Sequence, residues 1–191
     1  TPVAVFIKNV NIKSPGFRYN VDSMLVDFDF KSGIGSGEIL GNININLRNQ
    51  NFKLDVLVDT FDLEIINQYT KDLTSNATLS AFLDADLKTT GNFNTKDSIA
   101  VMGNFAISDF HFKETNKADL VSFKKLVVAI NQLSPKDLIY HFDSIILTQP
   151  YAKYELYDYL DNVQTVIGAG GQNVSAVNAD PNKFNLVIEI A

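Results

Sequence analysis

The 191-residue chain has no cysteine, which excludes a disulfide framework, a zinc–thiolate site and a thiol nucleophile. Histidine is nearly absent as well. His111 and His141 stand thirty residues apart, outside any metal-ligand spacing, and each reads as a strand-surface or interior polar residue rather than a ligand or base. The G-x-S-x-G elbow of serine hydrolases does not occur. No run approaches the roughly 18 apolar residues of a membrane-spanning helix, and the opening TPVAVFIKNVNI lacks the charged and apolar regions of a signal peptide. Positive charge is also scarce: 16 Lys and Arg against 22 Asp and Glu leave a net charge of -6 and a pI near 4.8. Such a surface repels phosphate backbones and anionic membranes, so nucleic acid is not an expected partner.

What the chain does have is alternation. With 46% hydrophobic and 20% charged residues it is too apolar to be disordered and can bury one sizeable core or two small ones. Met24, Val26, Phe28 and Phe30 alternate with Leu25, Asp27, Asp29 and Lys31, which sets the apolar residues on one side of a pleated strand. After a glycine turn at Gly33, Gly35 and Gly37, Ile39, Ile43, Ile45 and Leu47 alternate with Asn42, Asn44 and Asn46. Beyond a polar turn, Phe52, Leu54, Val56 and Val58 alternate with Lys53, Asp55 and Asp59. These three runs predict a meander with one apolar and one polar face.

Residues 62–73, DLEIINQYTKDL, break the period. Leu63, Ile66, Tyr69 or Thr70, and Leu73 recur at spacings of three and four, which predicts a short amphipathic helix capped by Asp62. Alternation returns at Leu79 to Leu87 and at Val101 to Ile107, with Thr90, Gly91 and residues 92–97 read as a turn. Further strands are expected at 126–130, 138–142, 145–147 and 152–157, then a short helix at 159–167, a small polar loop at 168–180 and a closing strand at 184–190. A strand is also expected at 3–12, and strands at both ends suggest a segment of a longer β-rich protein.

The predicted fold is therefore mainly β with a few short helices (α+β), its long antiparallel meander strands forming a curved, partly open sheet or half-barrel. It is read as a single β-rich region over 1–191. Its sub-units are a meander (1–60), a helix with a second strand set (61–147), and a strand, short helix, loop and final strand (148–191).

Signals for chemistry are weak. Gly33-Ile34-Gly35-Ser36-Gly37 resembles a phosphate-binding loop but lacks the following lysine and leads into a strand, so it reads as a hairpin turn. Gly168-Ala169-Gly170-Gly171 has the same defect. Asp27 with Asp29, and Asp84 with Asp86, are carboxylates two apart on the polar face and read as a solvated surface rather than an acid–base pair. Neither catalysis nor a cofactor is expected. Tyr151, Tyr154 and Tyr157, with Tyr159 nearby, form a cluster with two readings: a partner-binding surface, or an edge strand packed on the terminal helix.

The apolar faces are the remaining candidate. Val26, Phe28, Phe30, Ile43, Ile45, Leu54, Val56, Leu83, Leu87, Phe105 and Ile107 are expected to line a sheet face that shelters acyl chains or packs on further sheet. An ordinary closed core is the alternative. Two short helices are too few to cover nine or ten such strands, and bare apolar surface costs about 25 cal/mol per Å² in water.

The run FDLEIINQYTKDL, the pair LSAFLDADLKTTGNF and IAVMGNFAISDFHF, and the segment from VSFKKLVVAINQLSP through DLIYHFDSIILTQPYAKYEL to Asn162 resemble the AsmA-like proteins of Gram-negative envelopes. The likeness spans Asp62 to about Ile167, and Val21 to Val58 more loosely. Its sharpest elements are Gly91, Gly103 and the Ile145-x-Leu147-x-x-Pro150-Tyr151 segment. The resemblance implies a non-enzymatic periplasmic β-rich body, tethered to the inner membrane by an N-terminal helix outside this segment. It further implies a role in phospholipid transport or outer-membrane homeostasis through an apolar groove. An alternative is a structural or assembly module that binds envelope proteins through strand edges and the tyrosine patch.

Overall fold

Strands follow one another across the sheet in chain order in the computed structural model, which describes residues 6–16, 22–33, 35–70, 77–95, 98–114, 118–155 and 161. They are β1 (Ile7–Lys13), β2 (Ser23–Ser32), β3 (Glu38–Asn46), β4 (Asn51–Asp62), β5 (Ala77–Asn92), β6 (Ala100–Glu114), β7 (Asp119–Ser134) and β8 (Ile139–Thr148). A two-residue strand, β9 (Tyr151–Ala152), continues along β7 past the end of β8. All neighbours are antiparallel, and β1 does not pair with β8, so the sheet is an open meander rather than a barrel. This is the mainly β fold expected from the alternation.

The hairpins follow from local chemistry. Gly35 (φ 67°) and Gly37 (φ 117°) supply the left-handed backbone of the β2–β3 turn, where a Cβ would strike Asp62 or the backbone of Phe61. Asn46 ends β3 by accepting from the amides of Arg48 and Asn49. Asn92 acts likewise between β5 and β6, accepting from Asn94 and Thr95. Strand β5 runs on through Thr90 and Gly91 to Asn92, so the first two belong to the strand and not to the expected turn. Their partners Lys53 and Phe52 hold them in the ladder.

Other expectations are corrected in detail. The helix after Asp62 is a single 3-10 turn (Leu63–Ile66) followed by one α turn, α1 (Asn67–Thr70). Asp62 does cap it, accepting from the Glu64 amide at 2.9 Å. β7 begins at Asp119 rather than Leu126, and the separate strands expected at 138–142 and 145–147 are one strand, β8. Leu138 lies in the preceding turn with φ 55°. Of the strand expected at 152–157, the described part (152–155) is strand only at Ala152, in the pair Tyr151–Ala152, after which the Lys153 amide donates to the Leu120 carbonyl at 2.8 Å. The helix at 159–167, the loop at 168–180 and the strand at 184–190 lie outside the described residues, as do residues 3–5 of the first strand and 71–73 of the helix.

Bulges shift the phase of several strands. Thr60 (φ 46°) and Asp109 (φ 50°) interrupt β4 and β6 where the register slips. The Asp84 carboxylate holds the first, accepting from the Thr60 amide at 2.9 Å. In the β7–β8 ladder the register slips on both strands, at Asn131 and Asp143, and these side chains bond to each other at 3.2 Å. Each extra residue moves the apolar phase of its strand by one position.

Candidate functional site: an apolar sheet face

Directly paired residues of an antiparallel ladder share a face, so the register sorts the sheet into two sides. One row reads Ile12, Phe28, Gly41, Val56, Leu87, Gly103, Ile130, Phe142 and crosses all eight long strands. The next reads Phe30, Ile39, Val58, Ala85, Phe105, Val128, Ile145. On either side lie Phe61, Leu83, Ile107, Leu126, Leu147 and Val26, Ile43, Leu54, Thr89, Val101, Leu133, Tyr140. At about 4.8 Å between strands, the longest row is roughly 34 Å across.

All eleven residues expected to line an apolar surface fall on this one face: Val26, Phe28, Phe30, Ile43, Ile45, Leu54, Val56, Leu83, Leu87, Phe105 and Ile107. Each is half-buried. Only Val58, Ala81, Ala85, Leu120, Val128 and Ile130 are buried apolar residues among those described. The rims are open: Ile7, Val10 and Ile12 on β1, and Tyr140, Phe142, Ile145 and Leu147 on β8, are all exposed. No second sheet is present among the described residues, and the helical turns lie against β5. Alternation alone sets Val58 and Ala85 on the apolar side of their strands, whereas the rim residues and Val128 and Ile130 are assigned to this face only by the cross-strand register.

Two phenylalanines face glycine across the ladder. A Cβ on Gly41 would stand 2.5 Å from Phe28 Cζ, and one on Gly91 would stand 2.6 Å from Phe52 Cζ, so each ring lies across a bare backbone. The Phe52 ring also stacks on Phe93, with centroids 4.7 Å apart.

The opposite face carries the charged residues, many of them paired, together with Leu40, Leu57, Val127 and Ile146. Asp27 faces Lys13 and Asn42, Asp29 accepts from the Asn11 side-chain Nδ2 at 2.7 Å, Asp55 faces Lys88, and Lys31 lies 3.9 Å from Glu38. Asp27, Asp29, Asp84 and Asp86 are all on this side, where Asp84 and Asp29 have the structural partners already described. No cluster of three or more potential metal ligands occurs among the described residues. A shallow depression of about 350 Å³ on this side includes Leu57, Asp84, Asp86 and Ala106.

His111 also belongs to this face, beside Ser80 and Ser122 in the ladder, and its Nδ1 lies 2.8 Å from Asp119 Oδ2. The ring is half-exposed and bonds to neither serine, so the contact ties the two ends of the β6–β7 hairpin. His141 is exposed opposite Gln132 on the edge strand.

Of the tyrosine cluster, Tyr151 and Tyr154 are exposed, and Tyr157 and Tyr159 lie outside the described residues. The Tyr154 hydroxyl donates to Asp161 at 3.3 Å. Desolvation, then the adjacent Asp161 charge and that hydrogen bond, hold its phenol above the ordinary value of 10.0. No helix of the described residues is long and apolar enough to cross a membrane. No protein-family model, curated protein or solved structure matches this chain.

Proposed function

We propose that this chain is a non-enzymatic, periplasmic segment of an AsmA-like envelope protein, anchored to the inner membrane through a helix outside the segment. In this reading its apolar face shelters phospholipid acyl chains in transit between membranes and so serves outer-membrane homeostasis. The observation that carries the reading is the row from Ile12 to Phe142, apolar or glycine at every strand and exposed at both rims. A half-buried face of this extent is what an acyl chain can complete. Each methylene removed from water contributes about 0.8 kcal/mol, so ten give roughly 8 kcal/mol before the cost of association. The row's ~34 Å exceeds the roughly 15 Å of one leaflet's hydrocarbon, so a chain can lie along it.

The test is native mass spectrometry of the chain purified from a Gram-negative host, alongside Phe28→Asp at the row and Ile145→Asp at the exposed rim. Phospholipid adducts on the wild type that diminish in both variants, with unchanged far-ultraviolet circular dichroism, support the reading. Lipid-free protein in every sample counts against it.

A further inference from the structure

Among the described residues, β1 and β8 are the two edges of the sheet, and they are unlike. β1 carries lysines at Lys8 and Lys13 and a kink at Asn9 (φ 53°), devices that discourage a further strand from adding. β8 has neither lysine nor proline, and its C-terminal half, Ser144-Ile145-Ile146-Leu147-Thr148, is β-prone, uncharged and exposed at Ile145, Ile146 and Leu147. The run is bounded by the bulge at Asp143 on one side and by Gln149 (φ 51°) and Pro150 on the other. A strand edge of this kind offers unpaired backbone amides and carbonyls to an incoming strand.

We propose that a second copy of this chain occupies that edge, β8 pairing antiparallel with β8 of the other copy about a two-fold axis at Ile146. A two-fold contact requires a self-complementary surface, and this run has one. With the axis at Ile146, Ser144 meets Thr148, a hydroxyl pair on the polar face. Ile145 meets Leu147 on the apolar face, where their β7 partners Val128 and Leu126 already place them. Ile146 meets its own copy, and Asp143 meets Gln149 rather than another carboxylate. That last pairing matters for copies that each carry a charge of -6. The axis stands perpendicular to the sheet, so the two apolar faces lie on one side and join. The edges left over are both β1, whose lysines and kink stop growth at two copies. The paired run is short and its buried area small, so the dimer is weak and concentration-dependent. The inference does not depend on what the apolar face binds.

Two measurements test it. Sedimentation equilibrium from about 10 µM to about 1 mM, the range suited to a weak interface, is expected to move the average mass from 21.2 kDa toward twice that value. Ile146→Lys and Thr148→Lys are expected to abolish the shift with circular dichroism unchanged. Because the chain has no cysteine, Ile146→Cys reports the register directly: oxidation is expected to give a covalent dimer, while Ile12→Cys at the other edge stays monomeric. A mass that stays at the monomer value throughout overturns the proposal. So do assemblies that grow past two, a mass shift that survives both lysine variants, or cross-linking at Ile12→Cys as efficient as at Ile146→Cys.

Discussion

Asn67 completes a strand ladder with its side chain. Its Nδ2 donates to the Leu79 carbonyl and its Oδ1 accepts from the Leu79 amide, both at 2.7 Å. The β4–β5 ladder ends at the Asp62–Phe82 pair, so Leu79 lies beyond the last backbone partner that β4 offers. One carboxamide supplies both a donor and an acceptor in the place of the missing strand. Asn67→Ala is expected to cost about 1–3 kcal/mol by leaving two part-buried backbone groups unpaired. Asn67→Asp should cost more at neutral pH, because a carboxylate then faces the Leu79 carbonyl. Urea unfolding midpoints and hydrogen exchange at the Leu79 amide check both, and an Ala variant of wild-type stability would remove this role from Asn67.

Three glycines form a graded series. Gly103 has φ 127°, and a Cβ there would collide with the Asp86 carbonyl, so Gly103→Ala combines backbone strain with a rigid clash. Gly41→Ala meets the Phe28 ring and the Asp55 carbonyl, each 2.5 Å away. Gly16 has φ 74° with open space around it. The expected losses are about 3 kcal/mol or more at Gly103, about 1–3 at Gly41 and about 1 at Gly16. Thermal melts of the three variants should fall in that order.

Val128 and Ile145 are cross-strand partners on one face, yet Val128 is 6% exposed and Ile145 is 61% exposed. The difference arises because Ile145 stands on the last long strand of the sheet, with no neighbouring strand beyond it among the described residues. A charge at the first site is buried and unpaired, so Val128→Asp is expected to cost about 3–5 kcal/mol. Ile145→Asp should stay within about 0.5 kcal/mol. Chemical denaturation of both variants measures the contrast, and equal losses would show that the rim is covered.

The Tyr154 phenol is raised above its ordinary value, so the folded state holds this proton more tightly than the unfolded chain does. Its contribution to stability is therefore complete below the unfolded value near 10 and is lost as pH rises through the higher folded value. Asp161→Asn removes the adjacent charge and should bring the phenol's titration down toward 10, leaving desolvation and a neutral hydrogen-bond acceptor as the causes that remain. The chain has seven tyrosines, so the signal is the difference in phenolate absorbance between wild type and Tyr154→Phe, with and without Asp161→Asn. A difference curve unmoved by Asp161→Asn would contradict the assignment.

From Ser23 to Ile107 the face of nearly every described strand residue is legible in the sequence. Met24 to Phe30, Ile43 and Ile45, Phe52 to Val58, Leu83 to Leu87 and Phe105 to Ile107 contain no bulge, so a period of two maps directly onto one side. That is why all eleven expected lining residues came together. After Ile107 the same rule fails. Continued alternation would put Asp109 and His111 on the apolar face, but the extra residue at Asp109 turns Phe110 and Phe112 there instead and sends His111 to the polar one. The Asn131 and Asp143 bulges do the same for Leu133 and for Ile145 with Leu147.

The sequence by itself determined that these segments are strands, which residues within an unbroken run share a side, and where Asn and Gly turn the chain. These depend on neighbours a few residues away. The tertiary structure alone decided the order of strands, the register that joins separate runs into continuous rows, the bulge positions and which strands are edges. Each of those depends on hydrogen bonds between residues distant in the chain, and one extra residue on either strand reverses every face beyond it.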